Sequence, residues 1–501
     1  MATSSNQDPN DPSRRRFIRQ SACASLGTIG VVNTIANLKL MSAAMAACTA
    51  LTDYKALICL YLGGGNDSDN MLIPYSGAER TLYETHRQVV AHPAEDLQRI
   101  YPDNSSTEFG LHPNLPGMAS MFNGGRMAFL TNVGSLLYPY ADRNEFLTGA
   151  VPAPPNIFAH NTMTTHWMSS IPDMPFTSGW GGRIADLLHA SLNPSSEVSM
   201  TVSIDGLSNL LAGAGSGVSQ LAINRKSPVK SLSGFGSDYS SALSGTDYLN
   251  TEHGARLKAL DDINTQVRAH LMEDTRSSAF VDARENEAVI SAALSAAASS
   301  GVDFDSLFAT SGDTSLGQQL KTVAQLMAGR DCMGNNRQIF FVRVGGYDNH
   351  GSLLAYHNQL TQELDDGLTD FDQAIQQLGL LSNTLLFSAS EFGRTFKPNK
   401  TDASAGSDHG WGGHVFMYGG AVKGKNLYGH YPDLTPGGPN ESSNTRGRWI
   451  PTSAVDQYGA MLTKWLGADS NSLEAIFPNL SRFDNPITSS SANMKFINFA
   501  I

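Results

Sequence analysis

Cysteine is scarce. Four occur in 501 residues, and only Cys59 and Cys332 are certain to survive removal of an N-terminal segment that reads as cleavable. Cys59 sits in an apolar run and reads as a buried thiol rather than half of a disulfide. Positive charge is also short: 34 Lys and Arg against 46 Asp and Glu leave a net charge of −12. With no long basic stripe, that balance excludes a general nucleic-acid binder. It leaves room for an anionic substrate held by a metal or a local arginine. Past the N-terminus, no stretch reaches the roughly 18 apolar residues of a membrane span. No Walker lysine and no GxGxxG spacing follow the first glycine cluster, so a phosphate loop of either kind is missing. There is no clear internal repeat.

What is present begins with an address. Ser13-Arg14-Arg15-Arg16-Phe17-Ile18-Arg19 precedes a moderately apolar stretch from Ala22 to Ala47, with small residues at its end. This is a twin-arginine signal over residues 1–47. It predicts passage through the twin-arginine translocase to the periplasm, cell surface or medium, with no membrane anchor after cleavage. Met45-Ala46-Ala47-Cys48 loosely resembles a lipoprotein cleavage box but lacks the usual leucine. Twin-arginine export carries folded proteins, often with cofactor loaded, which fits a metalloprotein.

Hydrophobic content of 41% is enough for a sizeable core. Ala56 to Leu62 is a continuous apolar run of strand length, as expected of a buried parallel strand. Met127 to Asn132 and Ser199 to Ile204 are further strand candidates. Gly181 to Ala190 reads as a helix with Ile184, Leu187 and Leu188 on one face. Residues 206–250 are rich in Ser and Gly and read as a loop, followed by helical patterning to about 300 and a helix from Leu316 to Arg330. The segment of about 206–330 is therefore read as an insertion. An α/β rhythm then returns: strand 338–344, helix 352–379, strands 384–389 and 414–418, helix 453–466. Such alternation predicts a mainly parallel, helix-covered sheet within one domain over 48–484. The polar residues 485–501 read as a peripheral tail.

Chemistry concentrates where apolar runs end. Gly63-Gly64-Gly65-Asn66-Asp67 follows the first strand, Gly345-Gly346-Tyr347-Asp348-Asn349-His350 another, and Ser390-Glu391-Phe392-Gly393-Arg394 a third. Ser407-Asp408-His409-Gly410 then leads to His414. Ligands of open α/β sheets gather at the carboxyl ends of strands. Asp348 and His350 are two apart, so an extended strand end points both the same way. Asp67, Asp348, His350, Glu391, Asp408, His409 and His414 are therefore the candidate metal ligands. For Asp67 the ordinary alternative is a helix cap; for each His it is a hydrogen-bonded surface residue. Mixed carboxylate and imidazole ligands suit zinc, manganese or similar divalent ions and argue against iron–sulfur or copper–thiolate centres. Arg394 is placed to grip an ester's free oxygens or to pair with a nearby carboxylate. Lys423, Arg446 and Arg448 read as surface charges, and Trp411 as a packing residue.

Several of these stretches, with Leu111-His112-Pro113 and Gly179-Trp180-Gly181-Gly182-Arg183, resemble the bacterial family of uncharacterised exported proteins called DUF1501. The resemblance extends over about residues 54–480. It implies an alkaline phosphatase–sulfatase-like fold, a central sheet sandwiched by helices. It also implies one or two divalent ions (zinc, manganese, calcium or magnesium) and hydrolysis of small anionic phosphate or sulfate esters. By analogy, Asp67 with Glu391 or Asp408-His409 would hold one ion, and Asp348, His350 and His414 the other. Phe158-Ala159-His160-Asn161 resembles a family segment that commonly reads Phe-Ser-His-Asn, so Ala159 stands where a nucleophilic Ser is expected. Alanine has no oxygen to attack with. Thr162, Thr164, Thr165 or a metal-activated water would have to replace it, with His160 lining the site. Three readings follow: an exported hydrolase with Thr162, Arg394 and His160 as catalytic candidates; a catalytically silent relative that binds a metal, ligand or partner; or a mutase or transferase of the same fold.

Overall fold

The computed structural model describes residues 53–500, apart from 197, 205, 215–218, 227–238, 245–246, 265, 267–285, 443–444 and 490–492. The stretch read as a twin-arginine signal, Cys48 and part of the Ser/Gly-rich stretch lie outside these residues.

The run that opens the domain forms β1 (Lys55–Leu62), and its residues alternate between two cores. Ile58, Leu60 and Leu62 face one; Leu57, Cys59 and Tyr61 face the other. A strand apolar on both faces needs cover on both, and helices supply it. The first core is roofed by Pro116–Asn123, Ser315–Ala328 and Leu353–Gln377. The second is roofed by α1 (His160–Ser169), Trp180–Leu192 and Val455–Leu466. Each fully buried Leu or Ile adds about 1.5–3 kcal/mol to folding.

The other strands of the central sheet are β2 (Met127–Gly134), β3 (Thr201–Ile204), β4 (Leu221–Ile223), β5 (Arg337–Val344), β6 (Thr384–Ala389), β7 (Gly413–Tyr418), β8 (Leu427–Gly429) and β9 (Ser453–Ala454). Their order is β8-β2-β7-β6-β1-β5-β3-β4, with β9 also on β2. Pairings are parallel except that β7 runs against both β6 and β2. The fold is thus a mixed, mostly parallel sheet between helical layers. Because β7 is reversed, its start lies at the same edge as the ends of β1, β5 and β6.

Three expectations need correction. Leu187 is exposed at 48% while Ile184 and Leu188 are buried, so the buried face of that helix is narrower than its apolar residues suggest. The stretch read as an insertion is not set apart: β4 is an edge strand of the sheet, and Ser315–Ala328 packs on the core. The tail is not peripheral either. Met494, Phe496 and Ile497 are buried, and Ile497 bridges Val422; the polar residues around them hide these apolar anchors. Among the described residues no helix is long and apolar enough to cross a membrane. Cys59 is buried and free, as expected of an apolar strand.

Candidate metal centre

The three glycines after β1 let loops meet rather than admit a ligand. Gly64 has φ 118°, and a Cβ there would lie 2.5 Å from the Asp348 nitrogen. Gly65 has φ 82°, and its Cβ would lie 2.4 Å from the Phe392 ring. This closeness brings the ends of β1, β5 and β6 into one cluster. Gly64 donates its N–H to Glu391 Oε1 at 2.9 Å and offers its carbonyl to Arg394 Nη1 at 3.2 Å.

At the centre is His409 Nε2. It lies 3.0 Å from His160 Nε2, 3.0 Å from His350 Nε2 and 3.3 Å from Asp348 Oδ1. Asp348 Oδ2 is 3.4 Å from His160 Nε2, and Asp348 Oδ1 is 3.0 Å from His350 Nε2. Each imidazole is oriented through its other nitrogen. His160 Nδ1 donates to Glu391 Oε1 at 2.9 Å, His350 Nδ1 to Asp408 Oδ1 at 3.1 Å, and His409 Nδ1 to the Phe158 carbonyl at 2.7 Å. Carboxylates and carbonyls only accept, so these partners assign the proton to Nδ1 in all three rings. Three Nε2 lone pairs then converge on one carboxylate, an arrangement that repels itself unless a cation sits among them. Imidazoles whose second N–H is tied to a carboxylate or carbonyl are what metal-bound histidines look like. A tetrahedral zinc site has donor–donor edges of about 3.3 Å, close to the separations here. His160, Asp348 and His409 have ligand atoms within 4.8 Å of one another, as a metal-holding trio requires.

The surroundings set the charge states. Burial lowers the His409 pKa, and Arg394 and His160 push it further down, which favours the neutral ring a ligand needs. Burial raises Asp348, but the Arg394 hydrogen bond and charge outweigh it and hold the carboxyl below its usual range. Asp408 is likewise held low: bonds from His350 and Asn399 and the charge of Arg446 overcome its burial. Phe392 packs against both His160 and His409, 4.8 Å from each ring centroid.

The structure sorts the candidates. It brings Asp348, His350, His409 and His160 together. Glu391 and Asp408 stand one bond behind them, as acceptors. Glu391 also accepts from Tyr61 at 3.0 Å. Asp67 is elsewhere engaged: its Oδ2 forms a buried ion pair with Arg87. His414 is buried too, with Nδ1 accepting from the Asn132 N–H at 3.1 Å and Nε2 facing Asp69 Oδ1 at 3.4 Å. The two ligand sets inferred by analogy are therefore not assembled. Arg394 is buried and gives four of its five hydrogens to the protein: it binds Asp348 at 2.7 Å, the Gly64 carbonyl, and both Oγ and the carbonyl of Ser407. That fixes it as a buried brace, without the two-pronged fork an ester's oxygens need. Trp411 packs, donating to the Ser135 carbonyl at 3.0 Å.

Ala159 is exposed and caps α1 with no side-chain bond, immediately before His160. Thr162 lies two residues into the helix from His160, roughly 200° around its axis, so its hydroxyl is directed away from the His160 side. Thr164 bonds Tyr61 at 3.0 Å, and Thr165 bonds back to the Asn161 carbonyl at 2.8 Å.

Sequence reasoning missed two arginines. Arg446 Nη2 binds Asp408 Oδ2 at 2.6 Å, and Arg448 Nε donates to the His409 carbonyl at 2.9 Å. They are site residues, not the surface charges their polar surroundings suggested. The signal available was two arginines flanking Gly447, and it carries no periodicity.

A mostly parallel α/β sheet bearing an imidazole–carboxylate cluster at its carboxyl edge defines the class of protein. Residues 213–443 match the family described as "Protein of unknown function (DUF1501)". The stretches 347–350, 390–395 and 408–410 fall inside that match; 62–67, 111–113 and 179–183 fall outside it. No curated protein matches the sequence. Among solved structures, the lipoteichoic acid synthase LtaP from Listeria monocytogenes is similar at 8% identity, covering 86% of this chain and 78% of its own, with a TM-score of 0.33. A mutant of the alkaline phosphatase PafA is similar at 12% identity, covering 69% and 64%, with a TM-score of 0.29. The PsFucS1 sulfatase from Pseudoalteromonas sp. is similar at 12% identity, covering 90% and 76%, also at 0.29.

Proposed function

We propose that the protein is an exported, metal-dependent hydrolase of phosphate or sulfate esters, acting in the periplasm, at the cell surface or outside the cell. One observation carries the metal reading: three Nε2 lone pairs and the Asp348 carboxylate converge within 3.0–3.4 Å, each ring being held from behind. His160, Asp348 and His409 would hold one divalent ion, with His350 as a fourth donor. Three imidazoles favour zinc over calcium or magnesium, which prefer oxygen. Such an ion supplies Lewis-acid polarisation of an ester oxygen and acidifies water. Glu391, Asp408 and the Phe158 carbonyl keep the rings in the tautomer that faces inward, and Arg394 holds Asp348 ionised. The ester class comes from the sequence resemblance; the export reading comes from the twin-arginine segment.

Metal analysis of the purified protein tests the reading. About one divalent ion per chain is expected, and His409→Ala or Asp348→Ala should cut that content severely while the far-ultraviolet circular dichroism is kept. A folded wild-type protein without metal would sink the assignment.

A second reading rests on Ala159. With no hydroxyl at the cap of α1, and Thr162 turned away, the start of α1 supplies no nucleophile beside His160. The protein would then bind its ligand without turning it over. A panel of aryl phosphates and sulfates decides between the two. Turnover by the metal-loaded wild type supports the hydrolase, whereas turnover only in Ala159→Ser supports the binding protein.

A further inference from the structure

We infer that Arg448, on a loop fixed by the buried Glu441, is the anion-gripping arm of this site and takes the oxygens of a tetrahedral phosphate or sulfate group. The inference rests on the proposed reading that the histidine cluster holds a divalent ion.

Of the three arginines at the cluster, Arg394 is buried and has four of its five hydrogens committed to protein. Arg446 gives Nη2 to Asp408, and its Nε is buried without a partner. Arg448 differs. Its Nε is anchored on the His409 carbonyl, and its guanidinium lies over the Phe158 ring, 4.4 Å from the centroid. Phe158 is the residue whose carbonyl orients His409. Arg448 is thus tied to both residues that set the central ligand, yet Nη1 and Nη2 have no hydrogen-bond partner among the described residues. A planar fork with two free donors beside a metal cluster matches two oxygens of an oxyanion.

Charge balance points the same way. The carboxylates of Asp348, Glu391 and Asp408 are matched by the guanidiniums of Arg394, Arg446 and Arg448. A divalent ion added to that neutral set leaves a surplus that a dianion cancels.

The arm is also rigid before any ligand arrives. Glu441 is fully buried, and its carboxylate accepts the N–H groups of Arg446 at 2.6 Å, Gly447 at 2.8 Å and Gly437. Ser442 donates to the Arg448 carbonyl at 2.8 Å. Phe396 and Lys397 donate to the carbonyls of Gly447 and Arg446 at 2.9 and 3.0 Å. A buried carboxylate spent wholly on one loop pre-organises the side chains that loop carries.

The test titrates inorganic phosphate and, separately, sulfate into metal-loaded protein by calorimetry, with metal content measured on the same samples. Wild type should bind at least one of them saturably. Arg448→Gln should weaken that binding roughly 10- to 100-fold, the worth of a charge-assisted bond, with metal stoichiometry unchanged. Arg448→Lys, which keeps the charge and loses the fork, should fall between, and it serves if the glutamine variant misfolds. Equal affinity in wild type and both variants, or no saturable binding by metal-loaded wild type, overturns the inference and leaves the metal reading intact. Absence of metal in wild type overturns the metal reading, and this inference with it.

Discussion

Asp67 and Arg87 are both almost fully buried, and their pairing gives each a role in stability rather than in the site. Arg87 also donates to Asn70 Oδ1 and the Phe396 carbonyl. Asp67→Asn leaves that guanidinium without its counter-charge, and removing one partner of a buried pair costs about 3–5 kcal/mol. Urea unfolding should show that loss, while metal content per folded chain stays at the wild-type value. A metal loss equal to that of His409→Ala would instead return Asp67 to the ligand set. Ala159 offers the opposite change. A serine at an uncapped helix start gains about 1 kcal/mol, so Ala159→Ser should raise the unfolding midpoint whatever it does to turnover. At this scale the sequence was informative about residue type and silent about rank. Asp348, His350 and His409 are legible as strand-tip donors, but Glu391 and Asp408 have the same signature and act one bond further out. Only three-dimensional packing decides which side of an imidazole a carboxylate meets.

Elements were easier to read than their joins. The strands around Leu57, Phe340 and Leu386 are continuous apolar runs, because a sheet covered on both faces has no polar side to show. The reversed direction of β7 carries no comparable mark, and it is what delivers Asp408 and His409 to the right edge. The loop bearing Arg446 and Arg448 was illegible for the same reason: its order comes from Glu441 and the 396–397 backbone, not from local pattern. Gly447 holds the two arginines at φ 71°, and a Cβ there would lie 2.3 Å from the Phe396 Cβ. Neither atom is the end of a flexible chain, so the loop must shift. Gly447→Ala is expected to cost about 1–3 kcal/mol and to weaken phosphate or sulfate binding while metal content is retained. Calorimetry beside metal analysis checks both halves.

Across the whole molecule, a second histidine group works through acidity. His92, His112 and His357 pack edge to face, with centroids 4.3 and 5.3 Å apart. Burial pushes each pKa down to about 3, helped by a neighbouring histidine. In the unfolded chain each returns to about 6.5, so the unfolded state binds more protons between those values. Their contribution is complete above about pH 6.5 and is lost as pH falls toward 3, at about 1.4 kcal/mol per pH unit for each ring. Asp365 and Asp456, which burial pushes up to about 6 and about 7, act in the opposite direction. A difference measurement therefore isolates the histidines. Between pH 6 and pH 4, His357→Gln should show a stability slope shallower than wild type by about 1.4 kcal/mol per unit; equal slopes would mean the ring is already charged in the fold.

The cluster gathers rings that are far apart along the chain: His160 and His409 are 249 residues from one another. An ion held between them is a cross-link closing a very long loop, and the entropy of such closure grows with loop length. Chelation would then do more than silence chemistry. It would untie the start of α1 from the sheet edge, lowering the melting temperature and exposing the 150–160 connection to proteases before the rest of the chain yields.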